Sequence, residues 1–178
     1  RFERLVEKSL GGDKEEVKKI LHNKNLDDLD FKRDIVPQKI EMEEIYSEDC
    51  LKKLLPHYRF YNDRGISDET LKVFKGGLAT QGQMYQRFVF PIYNELNQIH
   101  GFSGRDMLNK DNRPKWKHLG KKSKWVYPAY LKVDGRPLLN VIEESSAVVI
   151  VESIGDALAL HNRGHLNILV SFGLEVGP

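Results

Sequence analysis

The stretch VVIVESIGDALAL, residues 148–160, decides how the last third of the chain folds. A short apolar run ends at the carboxylate of Glu152, and a second carboxylate, Asp156, follows at the start of a helical pattern. After Gly164, the stretch LNILVSFG over residues 166–173 is again apolar. An apolar strand, a helix and a second apolar strand are typical of a βαβ unit, whose parallel strands are buried on both faces.

Both carboxylates are predicted at one edge of this parallel sheet. The pattern indicates a strand over 148–152, a turn over 153–155 and a helix over 156–162. Ligands of α/β sheets bind outside the carboxyl ends of the strands, and two carboxylates there suit a hard divalent cation such as Mg2+. Acids at such a position also cap a helix N-terminus. The residues alone leave both interpretations open.

Positive charge is concentrated in one part of the chain. Residues 105–136 carry 10 Lys or Arg against three Asp, whereas residues 1–50 carry 14 acids against 10 bases. Trp116, Trp125 and Tyr127 are interleaved with the lysines. Cations pair with phosphates and aromatic rings stack on bases, so this stretch predicts a surface for single-stranded nucleic acid. A solvated basic loop is the alternative.

Composition favours an ordinary globular protein. Of the 178 residues, 40% are hydrophobic, but no run approaches the roughly 20 apolar residues that cross a bilayer, and no signal-peptide pattern opens the chain. The single cysteine, Cys50, excludes an internal disulfide and indicates an intracellular protein without structural zinc. The first residue, Arg1, is not methionine, so we expect a fragment of a longer chain.

The segments before the basic stretch predict a mixed arrangement of helices and strands. Residues 1–45 indicate a helix followed by a linker. Ser67 is a typical N-cap for a helix over 68–75, which Gly76 and Gly77 are expected to end.

Next along the chain, two predicted strands form a β-hairpin. They span residues 87–93 and 98–104 and are joined by the polar turn NELN. Alternation of Phe88, Phe90 and Ile92 predicts that one face of the first strand points inward.

The stretch 148–173 resembles the first half of the Toprim domain, a metal-binding α/β module of bacterial-type primases, type IA and II topoisomerases and some nucleases. That family opens with a hydrophobic strand, Glu, usually Gly, two variable residues and an Asp on a helix. A Gly before the second strand and a small residue and Gly after it complete this half. Ser153 stands where the family usually has Gly. The matching positions are Glu152, Asp156, Gly164, Ser171 and Gly173.

Three upstream stretches are similar, in order, to motifs of DnaG-type primases. YNDRGISDETLKVFKGGLA (61–79) resembles the aromatic and Arg-Gly segment before a short helix, and QRFVFPIYNELNQIHGFSGRDM (86–107) resembles the FPI and GF-GR strands. RPKWKHL (113–119) matches the PKY motif, with Trp116 replacing Tyr. The topoisomerases and nucleases do not carry this set. From about Tyr58 onward the chain therefore resembles a DnaG-type primase catalytic core, in a divergent phage or mobile-element version.

The resemblance implies an α/β fold with a basic N-terminal subdomain over 46–140 and a truncated Toprim subdomain with a parallel sheet over 141–178. It implies synthesis of short RNA primers on single-stranded DNA from nucleoside triphosphates with Mg2+ or Mn2+. It further implies a replicative helicase as partner, in the cytoplasm of a bacterium or a phage-infected host. The family's downstream Asp-x-Asp strand and N-terminal zinc module are not in the sequence, so we expect weak or no activity from this fragment alone.

Residue roles follow from the matched motifs. Glu152 is expected to hold a metal or to act as a general acid or base, and Asp156 to be a second metal contact. Arg105 suits bidentate contact with phosphate, and Lys115 offers a mobile charge for the triphosphate or template. Trp116 is expected to stack on a base or to pack against the hairpin. Catalysis is assigned to Glu152, Lys115 and Arg105, and nucleotide or template binding to Arg64, Arg105, Lys115, Trp116 and Lys117.

Two rival functions stay open at this point. A Toprim nuclease would use the same metals for hydrolysis, and a non-catalytic module would bind single-stranded nucleic acid without chemistry. Ser153 and the absence of the Asp-x-Asp strand from the sequence favour the second rival. The spacing of the histidines fits no compact metal motif, which indicates surface or core roles for His100, His118, His161 and His165.

Overall fold

A computed structural model describes residues 44–173 of the chain. The predicted helix and linker over 1–45 lie outside the described residues, apart from Glu44 and Ile45. No helix in the described range is long and apolar enough to cross a bilayer.

Five antiparallel strands form the larger sheet, in the order β1-β2-β3-β4-β5. The predicted hairpin is confirmed as β3 and β4, although β4 starts one residue later than predicted and runs two residues further. At the turn, Asn94 Oδ1 accepts hydrogen bonds from the backbone N–H groups of Leu96 and Gln98 at 3.1 and 2.9 Å. The strands are β1 (Leu54–Leu55), β2 (Gly77–Ala79), β3 (Arg87–Tyr93), β4 (Ile99–Asp106) and β5 (Trp116–Leu119).

The face of β3 that carries Phe88, Phe90 and Ile92 points inward as predicted, and the residues of the opposite face are buried as well. The strand lies in the middle of the sheet, and both of its faces are covered. On one face the rings of Phe88 and Tyr61 meet edge to face, with centroids 4.8 Å apart. On the other face the hydroxyl of Tyr93 donates to Glu48 Oε1 at 2.7 Å. Residue alternation alone cannot show that a second layer covers the strand.

Two short helices precede β2: α1 (Arg59–Asn62) and α2 (Asp68–Val73). Ser67 is the N-cap of α2, as predicted, and its Oγ accepts from the backbone N–H of Thr70 at 3.2 Å. The prediction that the glycine pair ends the helix needs correction. The left-handed residue after α2 is Lys75, with φ of 51°, and the N–H of Gly76 closes the turn onto a carbonyl in α2.

Gly76 is required for space rather than for its backbone angles. A Cβ atom at this position would lie 2.6 Å from Phe88 Cε1 and 2.7 Å from Phe90 Cε1. The glycine therefore allows the chain to pass directly over the aromatic side chains of β3.

The predicted parallel βαβ unit is confirmed. The hairpin of β6 (Lys132–Val133) and β7 (Arg136–Pro137) leads into α3 (Leu138–Glu144), and the predicted boundary at 140/141 falls within this helix. Strand β8 (Val149–Val151) pairs in parallel with β9 (Ile168–Val170), and helix α4 (Ile154–His161) connects them. Helix α4 begins two residues earlier than predicted, because Ser153 is its N-cap. Gly164, with φ of 87°, follows the end of α4 as predicted.

The prediction that both parallel strands are buried on both faces is wrong for β8. Val149 and Ile150 are 39% and 51% exposed, whereas Ile168 of β9 is 1% exposed. Within residues 44–173, β9 is the only strand that pairs with β8. The sequence therefore shows that β8 is apolar, but the described part of the chain leaves Val149 and Ile150 partly exposed to solvent.

Asn162, just beyond α4, joins the βαβ unit to the segment between α1 and α2. Its side-chain Oδ1 accepts from the backbone N–H of Ser67 at 2.8 Å, and its Nδ2 donates to the carbonyl of Gly65 at 2.9 Å. A second link is the hydrogen bond from the N–H of Val170 to the carbonyl of Tyr127 at 2.8 Å. These contacts fix the C-terminal end of α4 and strand β9 against the preceding part of the described chain.

Candidate functional site

An open cleft of about 690 Å3 lies between α1, the end of the larger sheet and the N-terminus of α4. Six of the seven side chains singled out from the sequence line it. Two cations line it from the sheet side, a third follows α1, and two carboxylates line it from the α4 side. We call Arg64, Arg105 and Lys115 the basic wall, and Glu152 and Asp156 the acidic edge. Trp116 is the sixth of these residues.

Strand register explains which side chains reach the cleft. Arg105 of β4 lies directly opposite Trp116 of β5, and residues paired in this way share one face of the sheet. Lys117 pairs with Gly104 and therefore belongs to the opposite face. Its Nζ donates to the carbonyl of Gln83 at 2.9 Å, and it does not line the cleft. Sequence position alone could not separate Trp116 from Lys117, because that separation depends on register.

The two arginines of the basic wall are arranged around an aromatic ring. Arg64 Cζ lies 3.6 Å from the ring centroid of Phe60, and Arg105 Cζ lies 5.0 Å from the same centroid. Arg105 Cζ is also 5.9 Å from the Trp116 ring. Within residues 44–173, neither arginine forms an ion pair. Both guanidinium groups therefore remain available for an anionic ligand.

An ion pair with a buried carboxylate, Asp106, shapes the loop that ends at Lys115. Asp106 Oδ1 accepts from Arg113 Nε at 2.6 Å, and its Oδ2 accepts from the backbone N–H of Asn109 at 2.9 Å. Burial acts to raise the pKa of Asp106, but the hydrogen bond and charge of Arg113 outweigh it and lower that pKa below its usual value. Arg87 donates to the carbonyl of Pro114 at 3.0 Å. The loop is thereby closed, which places Lys115 at the cleft.

The acidic edge is exposed and sits at the start of α4. Ser153 caps the helix, and its Oγ also donates to Asp156 Oδ2 at 2.7 Å. Asp156 lies in the first turn, where the helix dipole favours a negative charge. Glu152 precedes the cap and has no hydrogen-bond or ion-pair partner in the described part of the chain. Since the cap is Ser153, the cap interpretation does not account for Glu152.

The acidic edge offers part of a metal coordination set. No group of three or more His, Cys, Asp or Glu side chains suited to a metal occurs among the described residues. Two carboxylates nevertheless fit a hard cation such as Mg2+ or Mn2+, which commonly retains waters and takes further ligands from bound phosphates. The residues present therefore fit a divalent cation that a phosphate ligand would help to hold.

The floor of the cleft contains two polar groups to which the sequence assigned no role in the site, and one of them, His118, was expected only at the surface or in the core. Ser103 Oγ and His118 Nδ1 come from paired residues of β4 and β5, and both atoms are buried without a hydrogen-bond partner among residues 44–173. Burial lowers the pKa of His118, and the charge of Lys122 lowers it further. The imidazole is therefore neutral near pH 7. The position of Ser103 inside the GF-GR stretch was the available signal for its place in the cleft.

The remaining histidines take no part in the cleft lining. His161 packs edge to face on Phe74, with ring centroids 5.0 Å apart, and burial lowers its pKa. His165 is exposed on the loop before β9. These positions agree with surface and core roles.

Comparison with known proteins begins with sequence. No model of a known protein family matches the chain. A curated DNA primase of Helicobacter pylori is 26% identical over 155 residues, in an alignment that covers 67% of this chain and 26% of the relative. The chain thus spans about a quarter of the length of the curated relative it matches.

Solved structures show the fold. A DnaG primase catalytic domain bound to single-stranded DNA is similar with a TM-score of 0.59 and 18% identity, over 72% of this chain and 52% of that chain. The catalytic core of E. coli primase is similar with a TM-score of 0.54 and 19% identity, over 67% of this chain and 48% of that chain. This likeness agrees with the mixed α/β fold that the sequence predicted. The predicted resemblance is therefore confirmed, and the chain has the fold of part of the DnaG primase catalytic core.

Proposed function

We propose that this chain is part of a primase, a nucleotidyltransferase that synthesises short RNA primers on single-stranded DNA. The observation that carries the proposal is the single cleft that brings three cations and two carboxylates together from segments far apart in the sequence. Support also comes from the curated relative, which is named DNA primase, and from the solved neighbour bound to single-stranded DNA.

The basic wall would bind the phosphates that enter the reaction. Primer extension joins a 3′-hydroxyl to an α-phosphate, and negative charge accumulates on the phosphoryl oxygens in the transition state. Arg105 has the fork geometry for two phosphate oxygens, and Lys115 adds an exposed charge that can follow the triphosphate. Cationic side chains stabilise that charge most when the fold already holds them in place before the reaction. In this role Arg105 and Lys115 would be catalytic residues.

The acidic edge would position a divalent cation against the same phosphates. When bound, such a cation polarises a phosphoryl oxygen and neutralises developing charge. Glu152 has no partner among the described residues, so its carboxylate is available to bind the cation or to accept a proton from the attacking hydroxyl. Asp156 is oriented by Ser153 and would supply the second carboxylate oxygen.

Trp116 and Arg64 would serve the template or the incoming nucleotide. Trp116 is half-buried beside Arg105, which leaves part of its ring at the cleft for stacking on a base. Lys117 would act outside the cleft, because its face of the sheet points away from it. A replicative helicase would remain the partner that the family implies.

The test is primer synthesis by the full-length gene product on single-stranded DNA, with labelled ribonucleotides and Mg2+ or Mn2+. Glu152→Gln should lower the rate by at least about a hundredfold, since it removes a charge that acts in the transition state. Glu143→Gln is the matched control, because Glu143 is an exposed acid that does not line the cleft. Release of nucleotides instead of their incorporation would favour the nuclease, and synthesis unaffected by Glu152→Gln would remove the acidic edge from the chemistry.

A further inference from the structure

Phe60 is the aromatic side chain that the two arginines of the basic wall have in common. Arg64 Cζ lies 3.6 Å from its ring centroid and Arg105 Cζ lies 5.0 Å from it, both within the range of cation–π attraction. Arg64 is tied further by a hydrogen bond from its NH1 to the carbonyl of Phe60 at 2.7 Å. One residue therefore contacts two cations that come from different parts of the chain.

Arg105 depends on aromatic contacts for its position. Its Nε is buried and has no hydrogen-bond partner among the described residues. The rings of Phe60 and Trp116 are the groups that contact its guanidinium within cation–π range. Because two like charges repel each other, the electron-rich faces of these rings offset part of the cost of holding both arginines at one cleft.

We propose that Phe60 is a positioning residue that holds Arg64 and Arg105 as a paired receptor for phosphate groups. This inference rests on the proposed function, since it concerns the same cleft. The ring itself carries no charge for a phosphate to contact, so its effect passes through the two guanidinium groups. Arginines that are ordered before binding lose less conformational entropy when the phosphate arrives. The phosphates belong either to a nucleoside triphosphate or to a DNA strand, and the two sources share this chemistry.

The binding test compares Phe60→Leu with Phe60→Tyr in the full-length gene product. Leucine keeps apolar volume and removes the ring, whereas tyrosine keeps the ring. Affinities are measured separately for inorganic tripolyphosphate and for a short single-stranded oligodeoxynucleotide, which distinguishes the two phosphate sources. Phe60→Leu should weaken binding about tenfold, as expected for two arginines that lose their order, and Phe60→Tyr should bind like the wild type. Tyr85→Leu is the control for loss of an exposed ring outside the cleft.

A second readout reports the arginine positions without any ligand. Ring current from Phe60 should shift the Arg64 Hε resonance upfield in NMR spectra. Phe60→Leu should abolish that shift and Phe60→Tyr should keep it. If the leucine variant does not fold, Phe60→Met is the second ring-free variant for both measurements.

Energetic coupling separates positioning from direct contact. Loss of Phe60 should add little to the loss caused by Arg64→Ala and Arg105→Ala together, because Phe60 acts through those two side chains. Wild-type affinity for both ligands in Phe60→Leu, or fully additive losses in the combined variant, would overturn the inference. Phe60-dependent tripolyphosphate binding in a protein that makes no primers would refute the proposed function and leave the inference standing. Normal primer synthesis together with wild-type binding in Phe60→Leu would overturn the inference and leave the proposed function standing.

Discussion

The basic wall and the acidic edge face the same cleft, but they are built in opposite ways. Arg105 lies in β4 and Lys115 directly precedes β5, in a sheet whose central strand is buried on both faces and whose β4–β5 loop is closed by an ion pair to the buried carboxylate of Asp106. Glu152 and Asp156 are exposed and follow β8, a strand that is itself largely exposed. The basic wall is therefore supported by well-packed elements, whereas the acidic edge is supported by a sparsely packed strand. Substitutions in the ion pair behind the basic wall should accordingly cost stability, whereas substitution of Glu152 should cost function with little loss of stability.

The largest expected effect on stability is at the ion pair of Asp106 and Arg113, which closes the loop before Lys115. Asp106→Asn should lower the free energy of unfolding by about 3 kcal/mol, because Arg113 and two backbone N–H groups lose a charged acceptor. Urea denaturation measures the change. Asp111→Asn, an exposed acid in the same loop, is the matched control and should change stability by less than about 0.5 kcal/mol. Equal stability of the two variants would show that the basic wall does not depend on this ion pair.

A smaller effect separates the two faces of the sheet. Arg105→Ala should weaken binding of single-stranded DNA by about 2 kcal/mol, the scale of a charge-assisted hydrogen-bond pair. Lys117→Ala should leave most of the affinity, because Lys117 lies on the opposite face. Fluorescence titration at one fixed salt concentration compares the two. A greater loss for the lysine variant would contradict the assignment of faces.

On the acidic side, the helix cap should matter for stability and the carboxylate should not. Ser153→Ala should lower the free energy of unfolding by about 1 kcal/mol, whereas Ser153→Gly, which introduces the residue usual at the similar position of Toprim domains, should cost only about 0.3 kcal/mol. Glu152→Gln should change it by less than about 0.5 kcal/mol. Thermal denaturation in parallel samples measures all three. A destabilisation by Glu152→Gln as large as that of Ser153→Ala would mean that Glu152 has a structural role.

The smallest effect concerns acidification. Burial lowers the pKa of His118 and of His161, so both imidazoles are neutral in the folded protein at a pH where the unfolded chain, with a value near 6.5, binds protons. Their contribution to stability is present above that value and is lost as the pH falls from about 6.5 toward the folded pKa. Denaturation midpoints between pH 7.5 and 5 measure the loss. His161→Leu should reduce the slope, and an unchanged slope would contradict the assignment.

The sequence predicted those features that depend on neighbouring residues. Ser67 and its helix, the hairpin of β3 and β4, and the parallel pair around α4 all follow from local patterns. Six of the seven residues that the motifs singled out line the cleft. The register of β4 and β5 places Lys117 on the face of the sheet away from the cleft, and both faces of β3 are covered. Neither feature can be predicted from neighbouring residues in the sequence.

Two further differences have the same origin. Lys75 adopts the left-handed conformation that a glycine was expected to supply, because the space above Phe88 and Phe90 determines where the glycine must stand. Local sequence patterns do not identify Phe60, because its contact with Arg105 forms only when two distant segments of the chain meet. Side chains that act through tertiary contacts are not marked by spacing along the chain.

The bridge made by Asn162 has a consequence for the order in which the protein assembles during its synthesis. Its hydrogen bonds to Ser67 and Gly65 connect positions 95 and 97 residues apart, so they form only after the ribosome has released α4. All five strands of the larger sheet have been synthesised by Leu119 and can pair before that point. A nascent chain can therefore form the sheet behind the basic wall before the acidic edge joins it.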